Sequence, residues 1–151
     1  MKVAVGADHA GFDLKGEVVA WLESQGHQVS DIGAHTMDPN DDYPDFAVAV
    51  ADSVLSGDTE RGVVVGGSGV GASITANKVN GIRACLCHDT YTARQGVEHD
   101  NMNVICIGGR VIGIELTKVV LEAFLGASFI HEERFQRRLD KLIKVEQNGL
   151  P

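Results

Sequence analysis

The sequence predicts an α/β fold in which a five-stranded parallel sheet is covered by helices on both faces. Short apolar runs alternate with longer segments of helical periodicity along the whole chain. The run at 63–65 is apolar at every position, as in strands that are buried on both faces. The intervals between the runs fit the crossover helices that parallel strands require, and these crossovers should be right-handed.

The apolar runs and helical patterns divide the chain into alternating elements. The predicted strands are Val3–Gly6, Gln28–Ile32, Val63–Val65, Arg83–Cys87 and Val104–Gly108. The predicted helices are Gly11–Gln25, Tyr43–Ser56, Ser68–Val79, His88–Gln95, Ile112–Leu125 and a charged terminal helix over Glu132–Gln147. Leu14 and Val18 recur one turn apart in the first helix. Pro44 suits the first turn of the second helix, and Gly81 and Gly126 follow the third and fifth, where glycine commonly ends a helix.

Length and charge limit the class of protein. A chain of 151 residues is expected to form one domain, spanning residues 1–151, with a full hydrophobic core. The formal net charge of −8 argues against general affinity for nucleic acid or for anionic membranes. The first strand begins at the amino terminus without a signal peptide, and no apolar run approaches membrane-spanning length. We therefore expect a cytoplasmic protein.

Three cysteines, Cys85, Cys87 and Cys106, lie in apolar surroundings within the fourth and fifth predicted strands. An odd number of cysteines in such positions favours reduced, inert core thiols. Cys85 and Cys87 together with His88 could bind a metal ion, but no second pair of ligands accompanies them. We therefore expect no metal site.

The most informative segment is the glycine-rich turn Gly66–Ser73, between the third predicted strand and the third predicted helix. Such a turn exposes backbone N–H groups that suit a phosphate or a reaction oxyanion. It lacks the Lys-Ser/Thr pair of a P-loop, and its glycines alternate instead of following the dinucleotide-binding spacing. The alternative to an anion-binding role is that the turn contains glycines only because its backbone conformation requires them. Ser68 could cap the helix or bind a ligand.

Further polar residues are candidates for a site. Asp8 and His9 follow the first strand, at the edge of the sheet where parallel strands form binding sites. A carboxylate next to an imidazole at this edge suggests sugar binding or proton transfer. The alternative is an ordinary surface turn. His99 precedes the fifth strand, toward the opposite edge. It reaches the glycine-rich turn only from a neighbouring subunit or through a folded-back loop, and alone it is typical of a solvated turn. Arg134 and Arg138 lie one helical turn apart, which suits a phosphate or an ion-paired helix face.

These segments, in this order, resemble the sugar-phosphate isomerase family that contains ribose-5-phosphate isomerase type B and the galactose-6-phosphate isomerase subunits. The resemblance covers almost the whole chain. The matching segments are Gly6-Ala7-Asp8-His9-Ala10-Gly11, Asp42-Tyr43-Pro44, Gly67-Ser68-Gly69-Val70-Gly71, Ala76-Asn77-Lys78-Val79, Gly81-Ile82-Arg83-Ala84, His99 with Asn103, Gly108-Gly109-Arg110, and Arg134 with Arg138.

The resemblance implies a three-layer α/β/α domain with a five-stranded parallel, Rossmann-like sheet. It implies a homodimer or a tetramer in which two subunits build each active site. It also implies that an aldose phosphate and a ketose phosphate are interconverted without a metal ion or cofactor. The expected substrates are ribose 5-phosphate and ribulose 5-phosphate, whose interconversion is a reaction of the pentose phosphate pathway. A tetrose or hexose phosphate is the alternative substrate.

The resemblance further implies a role for each matching residue. His99 would help to open the sugar ring, and Asp8 and Tyr43 would contact the sugar. The phosphate would be held by basic side chains, namely His9, Arg134 and Arg138, with Arg110 supporting the site. The enediolate oxygen would be stabilised by Ser68 and by the backbone of the loop glycines Gly67, Gly69 and Gly71.

The chain departs from the family at the catalytic base. Proton transfer between C1 and C2 needs a base within hydrogen-bonding reach of both carbons. One branch of the family has a cysteine where this chain has Gly66, and another has a glutamate where this chain has Ala72. The family commonly has asparagine at the position of Asp100.

Three hypotheses follow from this departure. In the first, Asp100 is a relocated base, although it could instead only orient His99 or bind a hydroxyl group. In the second, the enzyme acts on a related sugar phosphate with a base such as Ser68, Ser73 or Asp8. In the third, the protein binds a sugar phosphate without converting it.

Overall fold

Strands and helices alternate along residues 1–148, which are the residues described by the computed structural model. The strands are β1 (Lys2–Ala7), β2 (Gln28–Gly33), β3 (Arg61–Gly66), β4 (Ala84–Leu86) and β5 (Val104–Gly108). The helices are α1 (Phe12–Ser24), α2 (Tyr43–Leu55), α3 (Val70–Ala76), α4 (Thr90–Asp100), α5 (Ile114–Gly126) and α6 (Glu133–Asn148). The predicted domain extends to residue 151, so its last three residues lie outside this range.

The five strands form one parallel sheet in the order β2-β1-β3-β5-β4, which confirms the predicted fold class. The chain runs from β1 outward to β2 and then crosses to the other side of β1 to form β3. The carboxyl ends of β1 and β3 therefore flank the point at which the strand order reverses, where open α/β sheets bind their ligands. Ala7 pairs with Val65 there, and Gly66 pairs with Gly108 at the end of β5.

Each central strand contributes side chains to two separate cores. On β3, Val63 and Val65 face a core covered by α1, α4 and α5, whereas Val64 faces a second core beneath α2 and α3. This alternation explains why the strand is apolar at every position. Helix α2 approaches the sheet closely, because a Cβ atom on Gly62 would lie only 2.5 Å from Cγ1 of Val50.

All six helices differ from their predicted bounds, and four of them do so by only one or two residues. The larger differences are in α3, which ends at Ala76 instead of Val79, and in α4. Helix α4 continues to Asp100 instead of ending at Gln95 and begins where the Asp89 carboxylate accepts the N–H of Thr92 at 2.8 Å. His99 and Asp100 therefore belong to its last turn, so the alternative of a solvated turn at His99 is incorrect. Helix α3 begins at Val70 instead of Ser68, since Gly69 has a left-handed φ of 76° that ends the turn before the helix.

The cysteines only partly match the prediction. Cys87 and Cys106 are buried, and burial raises the pKa of the Cys106 thiol to about 12. Cys85 is exposed on the edge strand β4, and the neighbouring Cys87 thiol lowers its pKa to about 7. The expectation of an inert core thiol is therefore wrong for Cys85. His88 has a structural role, because its Nε2 accepts the N–H of Gly108 at 2.9 Å.

Within residues 1–148, no helix combines the length and the apolar character needed to cross a membrane.

Candidate active site

The glycine-rich turn is fixed by the backbone that follows β5. The N–H of Gly109 donates to the carbonyl of Gly66 at 2.8 Å, and the N–H of Arg110 donates to the carbonyl of Gly67 at 3.0 Å. A Cβ atom on Gly69 would lie 2.9 Å from the carbonyl carbon of Ile107. Only glycine combines this close approach with the left-handed φ, so the turn has a strict backbone requirement.

Side chains from two other segments lie against this turn. The Tyr43 ring lies against Gly71, where a Cβ atom would come within 2.6 Å of Cζ of Tyr43. A Cβ atom on Gly67 would lie 3.7 Å from Cζ of Arg110. Ser68 precedes α3, and its Oγ accepts the N–H of Val70 at 3.3 Å. The turn therefore has two predicted site residues as neighbours, Tyr43 at the start of α2 and Arg110 just after β5.

Asp8 joins this group from the end of β1. Its side chain is only 7% exposed, and its Oδ1 accepts the N–H groups of Ala10 and Gly11, each at 3.1 Å. A Cβ atom on Gly66 would lie 4.0 Å from the same oxygen. The carboxylate therefore borders the position at which one branch of the family carries its cysteine base.

His9 has a partner that the sequence did not indicate. Its Nδ1 lies 2.6 Å from Oδ1 of Asp41, and its backbone N–H donates to the same oxygen at 2.9 Å. The hydrogen bond to Asp41 raises the pKa of His9, and the nearby charge of Asp8 acts in the same direction. In the sequence, Asp41 is part of the acidic stretch before α2, and nothing there connects it with a residue 32 positions earlier.

Asp8, His9 and Asp41 also form the one group within residues 1–148 whose spacing could suit a metal ion, with ligand atoms within 4.8 Å of one another. The short Nδ1–Oδ1 contact already accounts for the pairing of His9 with Asp41. We define the glycine-loop cluster as Asp8, His9, Asp41, Tyr43, Arg110 and the turn 66–71, which we call the glycine loop.

Three further predicted residues form a second group on α4 and α6, namely His99, Arg134 and Arg138. The His99 ring stacks on the Phe135 ring with centroids 4.1 Å apart, and Cζ of Arg134 lies over the same ring at 4.3 Å. Arg138 follows one turn later on α6. Arg134 also pairs with Glu132 at 3.4 Å, as expected for an ion-paired helix face. We call His99, Arg134, Phe135 and Arg138 the terminal-helix cluster.

The two clusters are separated within one chain. His99 and Asp100 end α4 and lead into the amino end of β5, whereas the glycine loop lies beside its carboxyl end. The strand between them, Val104–Gly108, is about 13 Å long. Asp100 borders a cavity of about 570 Å³ that is also lined by Cys85, Met102 and Leu142. The chain therefore brings Asp8, His9, Ser68, Tyr43 and Arg110 together but not the residues of α4 and α6.

The chain is similar to known sugar-phosphate isomerases over most of its length. A family described as Ribose/Galactose Isomerase matches residues 3–142. Ribose-5-phosphate isomerase B of Escherichia coli K12 is 42% identical over 146 residues, which cover 97% of each chain. D-erythrulose-4-phosphate isomerase of Pectobacterium atrosepticum is 43% identical over 129 residues, which cover 85% of each chain.

Solved structures show the same fold. Ribose-5-phosphate isomerase B of Clostridium thermocellum superimposes with a TM-score of 0.94 at 40% identity, covering 99% of this chain and all of the other. The Mycoplasma genitalium enzyme, solved with bound ribulose 5-phosphate, gives a TM-score of 0.91 at 38% identity, covering 98% of this chain and 97% of that one. The family model and these relatives agree with the resemblance drawn from the sequence motifs, and the chain belongs to the ribose/galactose isomerase family.

Proposed function

We propose that this protein interconverts an aldose phosphate and a ketose phosphate, with ribose 5-phosphate and ribulose 5-phosphate as its substrate pair. The observation that carries the proposal is the convergence of Asp8, His9, Tyr43 and Arg110 on the glycine loop at the carboxyl ends of β1 and β3. Relatives that carry the name ribose-5-phosphate isomerase B over nearly the full length support the choice of sugar.

The reaction transfers a proton between C1 and C2 through a cis-enediol intermediate. The backbone of Gly67, Gly69 and Gly71, with the Ser68 hydroxyl, stabilises the negative charge that develops on the enediolate oxygen. Asp8 and Tyr43 contact the sugar hydroxyls. His9 binds the phosphate together with cationic arginines, and Arg110 supports the loop. This chemistry requires neither a metal ion nor a cofactor.

A second subunit completes the site in this proposal. His99, Asp100, Arg134 and Arg138 are separated from the glycine loop of their own chain, so they serve the glycine loop of a partner in a homodimer or tetramer. Exposed apolar side chains beside the glycine loop support such a contact, because Val70 and Ile74 are 47% and 57% exposed on α3. The partner's His99 then opens the sugar ring, and its arginines bind the phosphate.

The catalytic base in this proposal is Asp100 of the partner chain. Gly66 and Ala72 remove both bases known from the family, and Asp100 is the ionisable residue that this chain adds next to His99. Asp100 could instead orient His99, with Ser68, Ser73 or Asp8 as base. Exchange of a C1 proton of ribulose 5-phosphate with solvent in heavy water distinguishes these roles. Asp100→Asn abolishes exchange if Asp100 is the base and leaves it intact if another residue is.

A tetrose phosphate is the second candidate substrate, because D-erythrulose-4-phosphate isomerase is as similar to this chain as the ribose-5-phosphate isomerases are. The test is kcat/KM for ribose 5-phosphate, erythrulose 4-phosphate and a hexose 6-phosphate with the same preparation. The proposal requires the highest value for ribose 5-phosphate. Binding of all three sugars without conversion, and without proton exchange at C1 of a ketose or C2 of an aldose, would instead identify a non-catalytic binding protein.

The proposal extends to the cellular setting. Ribose 5-phosphate isomerisation belongs to the pentose phosphate pathway, and we assign the protein to the cytoplasm, where phosphorylated sugars are metabolised. A net charge of −8 fits a partner that is a small molecule bound in a local cationic pocket and disfavours nucleic acid.

A further inference from the structure

We propose that Asp41 is a positioning residue that fixes the orientation and the positive charge of His9 so that this imidazolium can bind the substrate's phosphate. The inference rests on the proposed function, in which His9 contacts that phosphate. It adds a residue that lies outside the motifs shared with the family and that touches His9 instead of the sugar.

Asp41 contacts His9 at both its ring and its backbone. One carboxylate oxygen, Oδ1, lies 2.6 Å from Nδ1 of the ring and accepts the His9 backbone N–H at 2.9 Å. The ring and the backbone are therefore held by a single atom. The Asp41 side chain is 12% exposed, whereas the His9 side chain is 33% exposed. The carboxylate thus supports the ring from the buried side, and Nε2 is the ring nitrogen left for a ligand.

The charge of Asp41 determines what Nε2 can do. In a neutral imidazole whose Nδ1–H donates to Asp41, Nε2 carries a lone pair and cannot donate to a phosphate. In the imidazolium both nitrogens donate, and the hydrogen bond to a phosphate oxygen is charge-assisted. Binding the phosphate through Nε2 therefore requires that His9 be protonated near neutral pH.

The surroundings of His9 favour the protonated form. The hydrogen bond to Asp41 makes the largest contribution to the raised pKa of His9, and the charges of Asp8 and Asp41 add to it. Desolvation and the positive charge of Arg110 act in the opposite direction and lower the pKa. Because the net pKa is raised above 6.5, the imidazolium persists to higher pH than in an isolated histidine.

The loop that carries Asp41 is anchored to the sheet. Lys15 is only 4% exposed, and its Nζ donates to the Asp31 carboxylate at 2.7 Å and to the carbonyl of Ala34 at 2.8 Å. The N–H of Ala34 donates to the carbonyl of Ala7 at 2.8 Å. These bonds tie the start of the loop to the end of β1, directly before Asp8 and His9.

The other carboxylate oxygen of Asp41 supports a role beyond structure. Oδ2 is buried and has no hydrogen-bond partner within residues 1–148. An unpaired buried carboxylate oxygen is unfavourable unless a positive charge lies close by. The imidazolium of His9 is that charge, so the pair is stable as an ion pair and unfavourable when His9 is neutral.

The test is Asp41→Asn, which keeps the size and one hydrogen-bond acceptor but removes the charge. Asp45→Asn is the matched control, because Asp45 is an exposed carboxylate in the first turn of α2. The first measurement is an NMR titration of the His9 ring without substrate. We expect the pKa of His9 to fall in Asp41→Asn and to stay unchanged in Asp45→Asn. An unchanged His9 pKa in Asp41→Asn would overturn the proposal.

The second measurement is the pH dependence of KM and kcat for ribose 5-phosphate. In Asp41→Asn we expect KM at pH 7.5 to rise about tenfold with kcat within about twofold, the size expected for one lost charge-assisted hydrogen bond. At pH 5.5 the two KM values should lie closer together, because the protonated fraction of His9 rises in both proteins as the pH falls. A rise in KM that is equal at both pH values would indicate a structural role and contradict the proposal.

The two arms separate this inference from the proposed function. If the natural protein does not convert ribose 5-phosphate, the proposed function fails, and the NMR titration still decides whether Asp41 sets the charge of His9. Binding of inorganic phosphate then replaces the kinetic arm. Weaker binding to Asp41→Asn at pH 7.5 but not at pH 5.5 supports the positioning role, and equal binding at both pH values overturns it.

Discussion

A Cβ atom on Gly66 would lie 4.0 Å from Oδ1 of Asp8 and 3.5 Å from the backbone nitrogen of Gly69. Both distances are ordinary van der Waals contacts, so the chain has room for a side chain at position 66. The position is nevertheless a glycine, in a loop whose other parts match the family. Steric exclusion therefore does not explain why position 66 lacks the cysteine expected from one branch of the family.

The space for a side chain at position 66 leads to the first prediction. Gly66→Cys should fold with a free energy of unfolding within about 1 kcal/mol of the natural protein. In the Asp100→Asn background it should restore part of the lost proton exchange at C1 of ribulose 5-phosphate, because a thiol then lies beside the glycine loop. Gly66→Ala in the same background is the control, since it fills the same space without a base. Equal rescue by alanine would show that the effect is not acid–base chemistry.

The contact between Gly71 and Tyr43 gives the second prediction. In Gly71→Ala, the higher helix propensity of alanine should stabilise α3 by about 1 kcal/mol. The new Cβ atom would lie 2.6 Å from Cζ of Tyr43, so the Tyr43 ring has to move. We expect unchanged or slightly higher stability and a KM for the sugar phosphate raised on the order of tenfold.

A double-mutant cycle tests this assignment. If Gly71→Ala acts through the ring, then adding Tyr43→Ala should raise KM no further than either single change does. Additive effects on KM would mean that Gly71 contributes independently of Tyr43.

The third prediction separates close packing from backbone conformation. Gly69 and Gly57 have similar left-handed φ values of 76° and 81°, but only Gly69 would place a Cβ atom against neighbours. Gly57→Ala should lower the free energy of unfolding by about 1 kcal/mol, from backbone strain alone. Gly69→Ala should lower it by about 3 kcal/mol or more, since overpacking adds to the strain. If urea denaturation showed the same decrease in the free energy of unfolding for both variants, this would contradict the close approach of Gly69 to Ile107.

The fourth prediction concerns Cys85. With its pKa lowered to about 7 by Cys87, its alkylation by iodoacetamide should become about tenfold faster between pH 6 and pH 8, as the thiolate fraction rises. Cys87→Ser should slow the reaction at pH 7, because the neighbouring thiol is gone. Peptide mass spectrometry identifies the modified residue. Modification of buried Cys106 at a comparable rate would contradict the described exposure of the two thiols.

The sequence predicted the parts of this protein that depend on local patterns. The continuous apolar runs identified β3 and β5, because strands buried on both faces need such runs. The strand order was not predictable, since the crossovers do not encode which strands become neighbours. The Asp41–His9 pair joins residues 32 positions apart and has no local signal. Cys85 was misjudged because β4 is a short edge strand with one open side.

The candidate site residues divide in the same way. Asp8, His9 and the glycine loop were gathered correctly because the ends of parallel strands meet at one edge of the sheet. The position of His99 against Phe135 depends on how α6 packs on α4, which composition and periodicity do not fix.

The shared active site is the central claim, and subunit complementation tests it most directly. His99→Ala and Asp8→Asn should each inactivate the protein, because each removes one half of every site. Mixing equal amounts of the two variants and reassociating their subunits should restore about a quarter of the natural activity, since half of the dimers then contain one intact site of two. Activity no greater than that of the separate variants, in a mixture proven to contain heterodimers, would contradict the account.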